Sequence, residues 1–326
     1  MGAFKDYLLL DGQRAPLVIE PARASELAEF VQAHRSSLLE RLLTHGALLF
    51  RGFSLQNVQQ FDAFSAALSP QRMDYVYGST PRKSLGNRIF TATEYPPNLE
   101  IPLHNENAYQ KTWPLKIALC CLVPATSGGE TPIADMRHVH SGIGPELMEK
   151  FERKGVRYVR HYRPFIDVAW QDVFQTKDRD ALARFCEESD IYHEWLDDET
   201  LLTRQICQGV ARHPVTEERV FFNQAHLFHL SSLGEKAAKA FTDLYGARVP
   251  RQTYFGDGDE IPIEDLRTVR EAFEKAKVMF PWRAGDVLLA DNMQVAHGRR
   301  PFKGERKVMA ALMEPHSEPA LENIAL

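Results

Sequence analysis

Apolar residues recur at helical spacing from 24 to 45, through Leu27, Phe30, Val31, Leu38, Leu39, Leu42 and Leu43. That spacing predicts an amphipathic helix, and Gly46 stands where such a helix would stop. The run Ala47-Leu48-Leu49-Phe50 reads as a short buried strand ended by Arg51-Gly52, and the spacing over 58–68 predicts a second helix. The period then shortens. Segments 88–93, 100–109 and 116–123 are β-compatible, bounded by Pro96-Pro97, Trp113-Pro114 and Ser127-Gly128-Gly129. Helical spacing returns over 146–154 and 178–189, with a strand at 156–161 between them. Strands at 206–213 and 219–223, helices at 235–245 and 263–277, and strands at 278–281, 286–291 and 307–313 complete the pattern. Neither a repeat nor a flexible linker interrupts it. Strands at both ends, separated by helical excursions, predict one β-rich α+β domain over 1–326.

Composition narrows the class. Of 326 residues, 44% are hydrophobic and 25% charged, which sustains a packed core and excludes disordered, collagen-like and coiled-coil chains. A formal net charge of −5 lacks the positive field of a nucleic-acid binder, so no nucleic-acid partner is expected. The four cysteines form no C-x-x-C pair, which leaves zinc-ribbon, thioredoxin-like and disulfide-scaffold readings without support. They fit small buried residues of a protein in the reducing cytoplasm. The first residues hold no apolar signal region, and Asp6 breaks the myristoylation pattern. The longest apolar run, near 117–124, falls far short of the roughly 20 residues of a membrane helix.

Candidate chemistry begins with the histidines. His104-Asn105-Glu106 sets an imidazole and a carboxylate two apart, on one face if the segment is a strand. A third ligand from elsewhere would complete the two-histidine, one-carboxylate triad of non-haem Fe(II) oxygenases. Spacing alone carries little weight. With 12 His and 44 acidic residues, one or two His-x-acid matches arise by chance, and the chain has two, the other being His316-Ser317-Glu318 in what reads as a solvated polar tail. Context adds to the first. His297 follows the apolar strand at 286–291, and Arg306 opens the next strand, where a guanidinium could grip a carboxylate bidentately. Thr131, after Ser127-Gly128-Gly129-Glu130, could donate its hydroxyl to the same carboxylate, although a plain strand threonine reads equally from position alone. His138 and His140 share a face without an acidic partner beside them.

Taken together, LHNENAY (103–109), WPLKIALCCLVPATSGGETPIAD (113–135), FFNQAHLFHL (221–230) and LLADNMQVAHGRRPFKGERKV (288–308) resemble the taurine dioxygenase and clavaminate synthase superfamily. Within it, the chain looks most like the branch with the syringomycin-type aspartyl hydroxylase of nonribosomal peptide pathways. The resemblance runs from about 47 to 313 and implies a double-stranded β-helix (jelly-roll) core with a helical N-terminal region and helical inserts. It implies an Fe(II)- and 2-oxoglutarate-dependent dioxygenase that consumes O2. His104, Glu106 and His297 match the iron ligands, Arg306 the partner of the distal 2-oxoglutarate carboxylate, and Thr131 its support.

Glu106 argues against halogenation, because family halogenases lack this carboxylate. Ala310 stands where taurine-type enzymes carry a substrate arginine, which argues against a sulfonate bound in that manner. The expected substrate is an amino acid or amino-acid-derived unit, free or carrier-protein-bound, and the expected outcome hydroxylation; epoxidation, desaturation or cyclisation would use the same ligands. Asn223 and His226 fall in a loop near the site by resemblance and are weak substrate candidates, with loop capping an equal alternative. Specificity is expected in about 157–232 and in 74–95, which carry Tyr75, Tyr77, Arg82, Glu94, Arg160, Arg163 and Asp167, and a lid or insert region is expected over about 157–280. A non-catalytic metal-binding regulator would lack one of the five positions, and a zinc hydrolase would have no use for Arg306 and Thr131. Oligomeric state stays open.

Overall fold

The computed structural model describes residues 4–78, 82–164 and 166–318. The first three residues, read above for targeting signals, lie outside them. The helix Leu27–His45 buries Leu27, Phe30, Val31, Leu38 and Leu42 along one side and ends at Gly46, whose φ of 77° lets its N–H reach Leu42 O. A Cβ at Gly46 would come within 2.7 Å of Val295 Cγ2, so glycine is required there twice over. The helix Val58–Leu68 is capped by Asn57, whose side chain accepts from Gln60 N. Both helices cover one face of an eight-stranded sheet.

That sheet runs in the order Phe4–Leu8, Leu17–Pro21, Ala47–Phe50, Val287–Asp291, Thr112–Val123, Lys307–Ser317, Ile89–Thr91, Ser84–Gly86. Its central strands carry continuous apolar stretches, at 48–50, 117–121, 287–290 and 308–313, because both faces are buried there. Leu48, Phe50, Ala118, Cys120, Val287, Leu289, Met309 and Ala311 pack beneath the two helices. Their alternating neighbours Ala47, Leu49, Ile117, Leu119, Leu288, Ala290, Val308 and Ala310 face the opposite way, toward Ile133, Val278 and Val295. Those three belong to a four-stranded sheet ordered Lys277–Val278, Ile133–Asp135, Val295–Arg299, Ile101–His104. A third sheet, Tyr192–Trp195, Leu201–Cys207, Val156–Tyr162, Arg251–Phe255, carries the largest core cluster together with the helices Met136–Ile143, Pro145–Lys154 and Ile263–Lys275.

Several expectations change. The strand expected over 100–109 stops at His104, because Asn105, Glu106 and Asn107 turn the chain and Asn107 takes a left-handed φ of 57°. The strand Thr112–Val123 runs straight through Trp113-Pro114, which read as a boundary. The strand expected over 206–213 is two, Leu201–Cys207 and Val210–Arg212, separated where a Cβ on Gly209 would meet Phe151 O at 2.2 Å. The solvated tail at His316 is part of the strand Lys307–Ser317, and Glu318 accepts from Arg212 N at 2.8 Å. All four cysteines are free and buried. Among the described residues no helix is long and apolar enough to cross a membrane.

Candidate active site

The four-stranded sheet builds the site. His297 sits mid-strand and pairs with His104 on one side and Ile133 on the other. His297, which follows the apolar strand at 286–291, lies in a strand of its own, Val295–Arg299, after a sharp turn at Asp291-Asn292. Asp291 Oδ1 shapes that turn by accepting from Met293 N and Gln294 N, at 3.0 and 3.1 Å. Close strand approach is enforced at Gly298, where a Cβ would lie 2.7 Å from Ile101 O.

Glu106 reaches the same place by a different route than the strand alternation suggested. Asn292 clamps the turn that carries it: its Oδ1 accepts from Glu106 N at 2.7 Å, and its amide donates to Glu106 O and Pro114 O at 2.9 and 2.8 Å. Asn105 donates back to Asn292 O at 2.6 Å, and Gln224 donates to Asn105 O at 2.7 Å. Asn292 is wholly buried, and the sequence marked it only as a turn residue.

The result is a cluster in which one ligand atom each from His104, Glu106 and His297 lies within 4.8 Å of the others. His297 Nε2 is 3.5 Å from Glu106 Oε2. His104 Nδ1 lies 2.8 Å from Pro102 O. A carbonyl only accepts, so Nδ1 holds the proton and Nε2 keeps its lone pair for a metal. Burial, helped by His297, lowers the His104 pKa to about 4. Burial alone would raise the Glu106 carboxyl, but Arg82, His297 and His104 outweigh it and hold it well below the usual carboxylate range. An ionised carboxylate and a neutral imidazole at neutral pH are the protonation states that a divalent cation requires. Two imidazoles and one carboxylate suit Fe(II) and leave coordination positions for other ligands.

Arg82, one of the charged residues of the 74–95 segment in which specificity is expected, pairs with Glu106, a role the sequence did not assign to it. Its Nη2 donates to Glu106 Oε2 at 2.6 Å, its guanidinium lies 4.5 Å from the centre of the Tyr75 ring, and Nε and Nη1 are buried without hydrogen-bond partners. No sequence pattern marks an arginine 24 residues before its partner.

Beside this cluster lies a second group. Gly128 and Gly129 have φ of 70° and 76°, and a Cβ at Gly128 would meet Pro301 O at 2.2 Å, so the turn can only be glycine. It leads to Thr131, two residues before the Ile133 that opposes His297. Trp282 Nε1 donates to Thr131 Oγ1 at 3.0 Å, Arg306 Nη2 lies 3.5 Å from the same oxygen, and Arg306 Nε donates to Gly129 O at 3.0 Å. Burial lowers the Arg306 pKa to about 10, and among the described residues it forms no ion pair. The guanidinium is still charged at neutral pH.

The remaining candidates are engaged elsewhere. Asn223 donates to Gly209 O and accepts from Ala225 N, which is the capping arrangement. His226 stacks on Phe273 and braces Leu103 O from behind the His104 strand at 3.2 Å. His138 and His140 lie on the helix Met136–Ile143, where His140 Nδ1 meets Arg219 O at 3.0 Å.

This fold and cluster define a recognisable class. Residues 15–313 match the family described as Taurine catabolism dioxygenase TauD, TfdA family. The chain belongs to that family and is an enzyme of its dioxygenase class. It is 40% identical over 308 residues to the Dapdiamide synthesis protein DdaC of Enterobacter agglomerans, covering 94% of this chain and 93% of that one. It is 31% identical over 318 residues to a Clavaminate synthase-like protein of Arabidopsis thaliana, covering 91% and 93%. In fold it is similar to PvcB, described as an Fe, alpha-ketoglutarate dependent oxygenase from an isonitrile synthetic pathway, with a TM-score of 0.56, 16% identity and coverage of 96% and 92%.

Proposed function

We propose that this chain is an Fe(II)- and 2-oxoglutarate-dependent dioxygenase that hydroxylates an unactivated C–H bond of an amino acid or amino-acid-derived molecule, free or tethered to a carrier protein. The observation that carries this reading is the convergence of His104, Glu106 and His297 from two distant parts of the chain. These three residues hold the metal. Arg306, anchored on Gly129 O and beside Thr131, takes the distal carboxylate of 2-oxoglutarate, the one partner its buried charge lacks. When bound, iron and 2-oxoglutarate supply the oxidation: O2 is split between succinate and the hydroxylated product, with release of CO2. The protein's part is to fix the ligands through Asn292 and Pro102 and to present the C–H bond.

The reading extends to the fold and the setting. The eight-stranded and four-stranded sheets act as the two walls of a jelly roll, within one domain spanning 1–326, and about 157–280 forms the lid or insert over its mouth. The likeness to a dapdiamide synthesis protein supports a role in making a natural product, and the four free thiols suit the cytoplasm.

The test is spectroscopic. Fe(II) followed by 2-oxoglutarate, added anaerobically, should give a weak visible metal-to-ligand charge-transfer band. His297→Ala should lose it. Arg306→Ala should keep it but need at least about tenfold more 2-oxoglutarate, through loss of a charge-assisted pair. A folded, metal-loaded protein with no band sinks the proposal.

A further inference from the structure

Arg160, on the strand Val156–Tyr162, is 1% exposed, and its Nε, Nη1 and Nη2 all lack a hydrogen-bond partner. A guanidinium carries five N–H donors, and burying them unpaired is among the costliest arrangements a core can hold. Aromatic faces offset only part of that cost. The rings of Tyr162, Tyr77 and Phe228 lie 4.6, 5.8 and 5.8 Å from the guanidinium carbon. The acid that could reach it, Asp167, is already taken by Arg251, through Nη2 to Oδ1 at 2.7 Å and Nε to Oδ2. Two further buried polar atoms in the sheet, Tyr162 Oη and Thr203 Oγ1, make no hydrogen bond of good geometry and find only each other and Tyr77 as side-chain partners. Arg160 opposes Thr203 directly across the strand pair.

This cage adjoins the site described above. Tyr109, three residues after Glu106, donates to Tyr77 O at 2.9 Å, and its ring packs 4.9 Å from that of Phe228 and 6.1 Å from that of Tyr77. One tyrosine therefore separates the cationic cage from the Glu106 turn.

We infer that Arg160 binds a carboxylate of the organic substrate, with Tyr162 and Thr203 donating hydroxyls to the same anion. The inference rests on the oxygenase reading and sharpens it: the substrate carries a free carboxylate remote from the C–H bond that reacts. Bidentate pairing would satisfy two of the five N–H donors and neutralise the buried charge, and the tyrosine walls would exclude water. The same carboxylate chemistry could come from 2-oxoglutarate, so the experiment fills that position first.

The protein is loaded with Mn(II), which does not turn over, and with saturating 2-oxoglutarate. Thermal protection is then measured for a panel of L-amino acids and N-acetyl amino acids, each against its primary amide. At least one carboxylate should bind tenfold or more tightly than its amide. Arg160→Gln and Arg160→Met should erase that preference while the 2-oxoglutarate titration stays unchanged. Arg160→Met should also leave the ligand-free Tm unchanged or raised, because an unpaired buried charge has gone. No preference for any carboxylate in the wild type overturns the inference. So does a preference that survives in either variant, or an Arg160→Met protein whose Tm falls by several degrees with the preference intact, which is the signature of a structural arginine. Failure of the oxygenase reading shows separately, as a wild type that neither Mn(II) nor 2-oxoglutarate protects.

Discussion

His226 is instructive at the scale of one residue, because its role is set by what it touches. Fully buried, it donates from Nε2 to Leu103 O and stacks on Phe273, while Nδ1 has no partner. Burial lowers its pKa to about 3, and burial with Arg270 lowers that of His229 to about 4. A base whose folded pKa lies below its unfolded value is charged more readily in the unfolded chain. Stability is therefore full above the unfolded value of roughly 6.5 and falls as the pH drops from there toward the folded values. Each such histidine should cost up to about 1.4 kcal/mol per pH unit across that window. In His226→Gln, the plot of unfolding free energy against pH between 6.5 and 4 should lose about one proton's worth of slope. An unchanged slope would mean that the imidazole protonates in place.

Among the elements, legibility followed periodicity. The helix Val58–Leu68 and the helix Glu235–Tyr245 were readable to the residue, since each has clear spacing and a cap or glycine at an end. The strand Val295–Arg299 was not, although it carries His297. Its five residues are all buried, yet His297, Gly298 and Arg299 give it no alternation to read. The His104–Glu106 pair was legible as chemistry but not as geometry, because the clamp that bends the turn comes from Asn292. Arg82 and Arg160 were invisible as roles, since a cation's partner, or lack of one, is a tertiary fact. The turn after Ala47–Phe50 shows the same limit. Arg51 donates to Asp286 through Nη2 at 2.7 Å and Nε at 3.1 Å, with both side chains nearly inaccessible. The pair locks this strand to Val287–Asp291 at the Phe50–Val287 register. Asp286→Ala leaves a buried guanidinium uncompensated and should destabilise the fold by about 3–5 kcal/mol, read from denaturant midpoints. The double replacement Arg51→Met with Asp286→Leu should recover most of that loss. Equal damage from the single and double variants would mean that the residues matter separately and not as a pair.

On the scale of the whole molecule, the chain closes its core last. Val287–Asp291 lies between Ala47–Phe50 and Thr112–Val123, and Lys307–Ser317 pairs along nearly the full length of Thr112–Val123. The centre of the main sheet thus joins the first 123 residues to the final part of the chain, and His297 arrives with that final part to meet His104. Such non-local pairing favours slow, cooperative folding, because little is stable until distant segments meet. It also gives the proposed single domain a test. A chain ending at residue 285 retains the third sheet and every described helix, yet it loses the central strand, the Asp286 partner of Arg51 and one of the three proposed metal ligands. That fragment should lack a cooperative thermal transition and expose apolar surface to a hydrophobic dye, whereas the full chain should unfold in one transition. Adding residues 286–326 as a separate peptide should restore the transition and Mn(II) protection together, since both depend on the same strands. A truncated chain that melts cooperatively by itself would divide the molecule into two folding units and place the third sheet in its own domain.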